Sequence, residues 1–136
     1  MDVEWLHGQR CTSVSTHAEG QFAFHFTAAA LGLSCAWRLV VRGQLVLAHT
    51  DHGQQFGRPA PVDACTEAMA ILGGHAIRGG RIDTALGDIV LEVGDDIRLE
   101  VFNDSSGYEG WTLTGPAGTT LVAISGGEVC SYSDEA

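Results

Sequence analysis

Apolar and polar residues alternate with a period of two along most of the chain, and that period marks β-strands. It predicts strands over residues 12–17, 21–27, 34–41 and 44–50, and again over 76–84, 88–93, 97–102, 109–114, 119–124 and 128–132. One stretch changes period. Cys65, Ala68, Met69 and Leu72 recur at i, i+3, i+4 and i+7, so residues 63–72 read as a helix. Asp63 is placed to cap its first turn, and Gly73-Gly74 to end it. The segment before it, 51–61, is rich in Gly and Gln and reads as a surface loop.

The strand pattern repeats around that helix. Gly20-Gln21-Phe22-Ala23-Phe24-His25-Phe26 is matched by Gly87-Asp88-Ile89-Val90-Leu91-Glu92-Val93, each a glycine followed by three apolar residues on one face. Trp37-Arg38-Leu39 is matched by Trp111-Thr112-Leu113, and the strand from Leu45 to Ala48 by that from Leu121 to Ile124. Leu6-His7-Gly8 and Leu72-Gly73-Gly74 open the two series. The expected fold is therefore α+β and β-rich, with two antiparallel β-meander halves, read as a duplicated unit, and one central α-helix. The halves form either separate meanders or one continuous curved sheet. We expect a single domain over 1–136, with a first β half at 1–58, the helix at 61–74 and a second β half at 75–133.

One hairpin can be put in register from the pattern alone. Ile89, Leu91 and Val93 share a face, as do Ile97, Leu99 and Val101. Both sets reach one core only if Val93 lies opposite Ile97 across a three-residue loop, Gly94-Asp95-Asp96, because a slip of one residue turns one set outward. Leu91 then faces Leu99, and Glu92 meets Arg98 on the outer side. Gly126-Gly127 suits a two-residue turn needing positive φ, and Pro116-Ala117-Gly118 a turn with Pro at its pre-set φ and Gly in the left-handed region.

Charge changes the picture. Residues 1–82 hold six acids and six arginines. Residues 83–136 hold eleven acids against the single Arg98, which accounts for the net charge of −10. Such asymmetry speaks of partners rather than of fold. It disfavours nucleic acid and membrane surfaces, which attract basic proteins, and favours a basic protein partner. No apolar run approaches the ~20 residues that cross a bilayer. Met1-Asp2-Val3-Glu4-Trp5 lacks the basic and apolar segments of an export signal, so a cytoplasmic location is expected. Cys11, Cys35, Cys65 and Cys130 are 24, 30 and 65 residues apart, without metal-ligand spacing, and read as free thiols.

Candidate chemistry is sparse. His49-Thr50-Asp51-His52 is the densest ligand-like cluster, and it also fits a solvated loop leaving a strand. His25 points away from the face of Phe24 and Phe26, and His17 lies on the neighbouring strand. Glu109 shares strand parity with Trp111 and Leu113, which places a carboxylate beside core residues, paired with an arginine or set for function. No Gly-x-Ser-x-Gly elbow occurs, and a chain without lysine has no phosphate-binding loop. Gly79-Gly80-Arg81 is too short to define a site. No catalytic residue, metal or cofactor is expected.

The stretch Tyr108-Glu109-Gly110-Trp111-Thr112-Leu113-Thr114-Gly115-Pro116-Ala117-Gly118 resembles the closing signature of a family of small, uncharacterised, mainly actinobacterial proteins, Tyr-Glu-Ala-Trp-x-Leu-x-Gly-Pro-x-Gly. Gly110 stands where that signature has Ala, and Ser125 where its later Pro-Gly-Gly turn has Pro. The resemblance covers roughly residues 72–132 and implies a small β-rich fold, with no established activity.

Small size, localised acidity and absent catalytic motifs lead to an expected role. It is that of a cytoplasmic immunity protein that binds and neutralises a bacterial toxin, its acidic face set against a basic toxin domain such as a nuclease. The expected contact residues are Asp88, Glu92, Asp95, Asp96, Glu100 and Asp104. The competing classes are a small-molecule-binding or enzymatic β-rich domain, and a structural module whose acidity serves solubility.

Overall fold

The computed structural model describes residues 1–133. Eleven strands and one helix follow in the order β1 (Cys11–Thr16), β2 (Phe22–Phe26), β3 (Ala29–Leu33), β4 (Ala36–Val41), β5 (Gln44–Ala48), α1 (Ala64–Leu72), β6 (Ile77–Ile82), β7 (Ile89–Val93), β8 (Ile97–Phe102), β9 (Trp111–Thr114), β10 (Thr119–Ala123) and β11 (Val129–Ser133). They form two antiparallel sheets, β1-β2-β3-β9-β10-β11 and β5-β4-β8-β7-β6. The alternative of one continuous sheet is therefore set aside. Inward-facing residues of both sheets join in one apolar cluster. Trp37 of the second sheet meets Phe22 and Phe24 of the first edge-to-face, at centroid distances of 5.0 and 5.1 Å.

The two sheets follow one plan. Raising the strand numbers of β1-β2-β3 by five gives β6-β7-β8, and lowering those of β9-β10 by five gives β4-β5. The order of the second sheet is thereby reproduced, with β11 as an addition. Registers agree as well. Trp37 lies opposite Val101 and Leu39 opposite Leu99, while Trp111 lies opposite Leu33 and Leu113 opposite Leu31. A bulge interrupts β1–β2 between Cys11 and Ser13, and another interrupts β6–β7 between Ile77 and Gly79. Arg10 and Ala76, which precede the two series, bridge each other directly. The halves are interleaved: each sheet takes three consecutive strands from one half and at least two from the other.

The hairpin register derived from parity is the one observed, with Val93 opposite Ile97, Leu91 opposite Leu99 and Glu92 opposite Arg98. Ten of the strands fall on predicted segments. β3 does not, because Ala29-Ala30-Leu31-Gly32-Leu33 is short, small and poor in β-branched residues. Its place is fixed by tertiary pairing between β2 and β9. The Gly126-Gly127 turn is one residue longer than the expected two-residue form, while the other late turn spans Pro116-Ala117-Gly118 as read. Gly115 N donates to Thr119 O and Ile124 N to Glu128 O, each across three residues. Left-handed φ falls on Gly126 and Gly127, as expected, and on Ala117 as well as Gly118.

Helix α1 packs chiefly on β1 and less on β5, so it covers one edge of each sheet. Ala64, Ala68 and Leu72 are its buried residues, while Cys65 and Met69 are half-buried, a face rotated slightly from the one predicted. Asp63 Oδ1 accepts from Cys65 N at 3.1 Å and Thr66 N at 3.2 Å. These bonds, led by the Thr66 amide, hold the Asp63 carboxyl below its usual range. Asp63→Ala is therefore expected to lower stability by about 0.5–2 kcal/mol near neutral pH. A depressed carboxylate stabilises above its unfolded pKa and ceases to do so as pH falls through the folded one. The gap between parent and variant in urea unfolding should accordingly shrink as pH drops below 3.8. Among the described residues no helix is long and apolar enough to cross a membrane.

Candidate functional site

The six acids expected to form one face occupy three places. Glu100 is half-buried on the outer side of the second sheet, held by Arg38 Nε at 2.5 Å and Arg98 Nη2 at 3.3 Å. Glu92 lies on the same side, exposed and without an ion pair among the described residues, because the Arg98 opposite it reaches Glu100 instead. Asp95 and Asp96 sit in the β7–β8 loop, where Arg78 approaches Asp95 at 3.5 Å and Arg42 approaches Asp96 at 3.4 Å. Exposed pairs of this kind contribute about 0–1 kcal/mol each, but they cancel charge locally. Asp88 and Asp104 belong to the other end of the sandwich.

That end carries the concentrated charge. Connections β6–β7, β8–β9 and β10–β11 emerge together, and hydrogen bonds tie them. Asn103 Nδ2 donates to Leu86 O at 3.0 Å, Gly126 N to Ser106 O at 3.0 Å, and Asn103 N to Asp88 Oδ1 at 2.9 Å. Trp111 Nε1 donates to Gly87 O at 2.6 Å from within the core. Gly127 approaches Leu86 so closely that a Cβ would lie 2.8 Å from its carbonyl oxygen, and its φ of +86° suits glycine in any case. These loops bring Asp83, Asp88, Asp104, Glu109 and Glu128 to one end, and among the described residues none forms an ion pair. Tyr108, 82% exposed, and Leu86, 60% exposed, project among them. A recess of about 500 Å³ beside Tyr108 is lined by Gln21, Ser34, Asp104 and Glu109.

Asp83, Glu109 and Glu128 were not among the expected contact residues. A signal was available for Asp83 and Glu109, which share their connections with Asp88 and Asp104, but none for Glu128, which belongs to the other sheet. Glu109 corrects a second expectation: β9 begins at Trp111, so Glu109 precedes the strand and is exposed rather than beside core residues, and among the described residues it pairs with no arginine.

Beneath this end lies Cys35. Burial, followed by the nearby Asp104 and Asp88, pushes its thiol up to about 12, and burial pushes Cys11 up to about 11. A thiol pKa raised by folding leaves stability intact below the unfolded value and erodes it as pH climbs from 9 toward the folded value. Iodoacetamide at mildly alkaline pH is therefore expected to alkylate Cys35 and Cys11 only as fast as the protein unfolds. Mass spectrometry of native and urea-treated samples reads this directly. Labelling of Cys35 at the free-thiol rate in the native protein would contradict it.

The histidine cluster is engaged with the backbone. Ala48 N donates to Asp51 Oδ2 at 2.9 Å, and Ala64 N donates to His52 Nδ1 at 3.0 Å. His49 Nδ1 lies 3.3 Å from both the N and the O of Trp37. The cluster thus anchors the loop before α1 to β4 and to the helix start, and among the described residues no group of three ligating side chains is placed to hold a metal. His17 Nε2 lies 3.5 Å from Ser15 Oγ at the surface, and His25 is half-buried on β2.

In comparisons with known proteins, the sequence profile of a family described as a family of unknown function (DUF6188) matches residues 3–133. No curated protein matches, and no solved structure matches.

Proposed function

We propose that this chain, which belongs to the DUF6188 family of unknown function, is a non-enzymatic, cytoplasmic immunity-type protein that binds and neutralises a bacterial toxin with a basic domain. The observation that supports this reading is the loop end with five acids, none in an ion pair among the described residues, around exposed Tyr108 and Leu86. Exposed aromatic and aliphatic anchors within a ring of one charge are the composition of a recognition surface: the anchors supply contact energy, and the charge supplies rate and selectivity. Asp88 and Asp104 are the two originally expected contacts that lie there. Glu92 is free to add to the field from the side, while Asp95, Asp96 and Glu100 are largely balanced by arginines. We further read residues 108–118 as the C-terminal signature of a mainly actinobacterial group within this family.

The test is association with a basic toxin domain encoded beside this chain's gene, followed by stopped-flow fluorescence at several salt concentrations. The reading expects fast association that slows steeply as salt rises. Association indifferent to salt, or survival of toxicity when both are co-expressed, would remove it.

A further inference from the structure

A recess of about 640 Å³ lies away from the loop end that carries Tyr108. It opens on the outer side of the second sheet, where the N-terminal segment runs along β6: Val3 N donates to Gly80 O at 2.8 Å, and Asp2 bridges Arg81. Its floor is the bare strand at Gly79-Gly80, with Val3 and Val90 beside it. Two adjacent glycines in a strand weaken it, so each invites a reason. Gly80 has one in the core, since a Cβ there would press on Leu91 at 3.0 Å and Leu6 at 3.1 Å. Gly79 has none, because a Cβ there would meet nothing within 4 Å. What its missing side chain creates is open space at the floor of the recess.

The rim adds a second observation. Arg81 is the one arginine of seven whose guanidinium has no partner among the described residues. Arg38, Arg42, Arg58, Arg78 and Arg98 pair with acids, and Arg10 donates to Gly74 O at 2.6 Å. In a chain of net charge −10, an unpaired guanidinium is conspicuous. The acids that share the rim, Asp2, Glu4 and Glu92, are likewise without ion pairs. Unpaired charges of both signs therefore surround an apolar floor. Arg78 and His7 also line the recess, but Arg78 is engaged with Asp95; a simple anion at Arg81 would meet three carboxylates, and a simple cation would leave Arg81 unused.

We propose that this groove binds a zwitterionic ligand with an apolar body, of the amino-acid or short-peptide class. Its carboxylate pairs with Arg81, its ammonium with Glu4 or Glu92, and its side chain lies over Gly79 and Val90. The volume is within the range of small-ligand sites. The groove and the proposed toxin contact share only Glu92, and binding of a small ligand measured without any partner protein stands or falls separately from the toxin reading.

The probes are trileucine and leucine, titrated into the full-length ¹⁵N-labelled chain. Trileucine is expected to shift the amide signals of Gly79, Gly80, Arg81 and Val90. Acetylating its N-terminus or amidating its C-terminus should each weaken binding by about tenfold or more, as the loss of one charge-assisted contact implies. Comparing leucine with trileucine separates a free amino acid from a peptide as the source of that chemistry. Gly79→Leu fills the floor from the solvent side and should abolish the shifts. Arg81→Met should erase the discrimination between free and amidated C-termini, and it keeps the test decisive if Gly79→Leu does not fold. Absence of localised shifts at millimolar peptide, or equal binding of capped and free forms, would overturn the proposal.

Discussion

Replacing Asp104, Glu109 and Glu128 together by arginine is expected to slow capture of the basic partner by about ten- to a hundredfold at low salt. The estimate follows from where the field is uncompensated. These three carboxylates stand on loops of one end, and none makes an ion pair or a side-chain hydrogen bond in the described structure. Their reversal therefore changes the long-range potential without removing a structural contact. Reversing Asp95 and Asp96 makes the informative control. Those two lie in the loop at the opposite end, already balanced by Arg78 and Arg42, so the association rate should change far less. Dissociation should respond differently. Tyr108→Ala removes an exposed anchor and should raise the dissociation rate while leaving the salt slope of association unchanged. If both charge reversals slow association equally, the field of the whole chain matters and the assigned end does not.

Much of the framework was legible because it rests on local period and parity. Ile89, Leu91 and Val93 must share a core with Ile97, Leu99 and Val101, and only one register permits it. Asp63 heads the one segment of helical period and caps it as its side chain allows. The failures share a cause. β3 lacks local strand character and exists because β2 and β9 flank it. The acidic site is likewise a product of assembly. Asp95 and Asp96 are adjacent acids in the sequence, yet Arg78 and Arg42, distant along the chain, stand beside them after folding. Asp83, Asp104 and Glu128 look isolated in sequence and come to one end because two hairpin turns and the crossing between the sheets emerge together. Clustering along a chain thus misjudged clustering in space. The groove beside Gly79 was equally hidden, since nothing local distinguishes a glycine that makes room for the core, as Gly80 does, from one that leaves a floor open.

The repeated plan of the two sheets yields the second large effect. Trp37 and Trp111 occupy matching positions, and both are buried. Their indole nitrogens differ. Trp111 Nε1 donates to Gly87 O at 2.6 Å, whereas Trp37 Nε1 has no hydrogen-bond acceptor among the described residues, and its ring packs edge-to-face with Phe22 and Phe24. Trp37→Phe loses packing but also removes a buried donor without an acceptor, so its cost is expected to be no more than about 1–2 kcal/mol. Trp111→Phe removes similar packing and also strands the Gly87 carbonyl, which adds about 1–3 kcal/mol. Urea unfolding of the two variants measures the difference, and equal losses would mean that the Gly87 bond contributes nothing. The bond also reaches the proposed contact surface, because Gly87 lies between Leu86 and Asp88 in the β6–β7 loop. Losing it should speed amide exchange in that loop and weaken partner binding, while Trp37→Phe, at the matching position of the other sheet, should leave both unchanged.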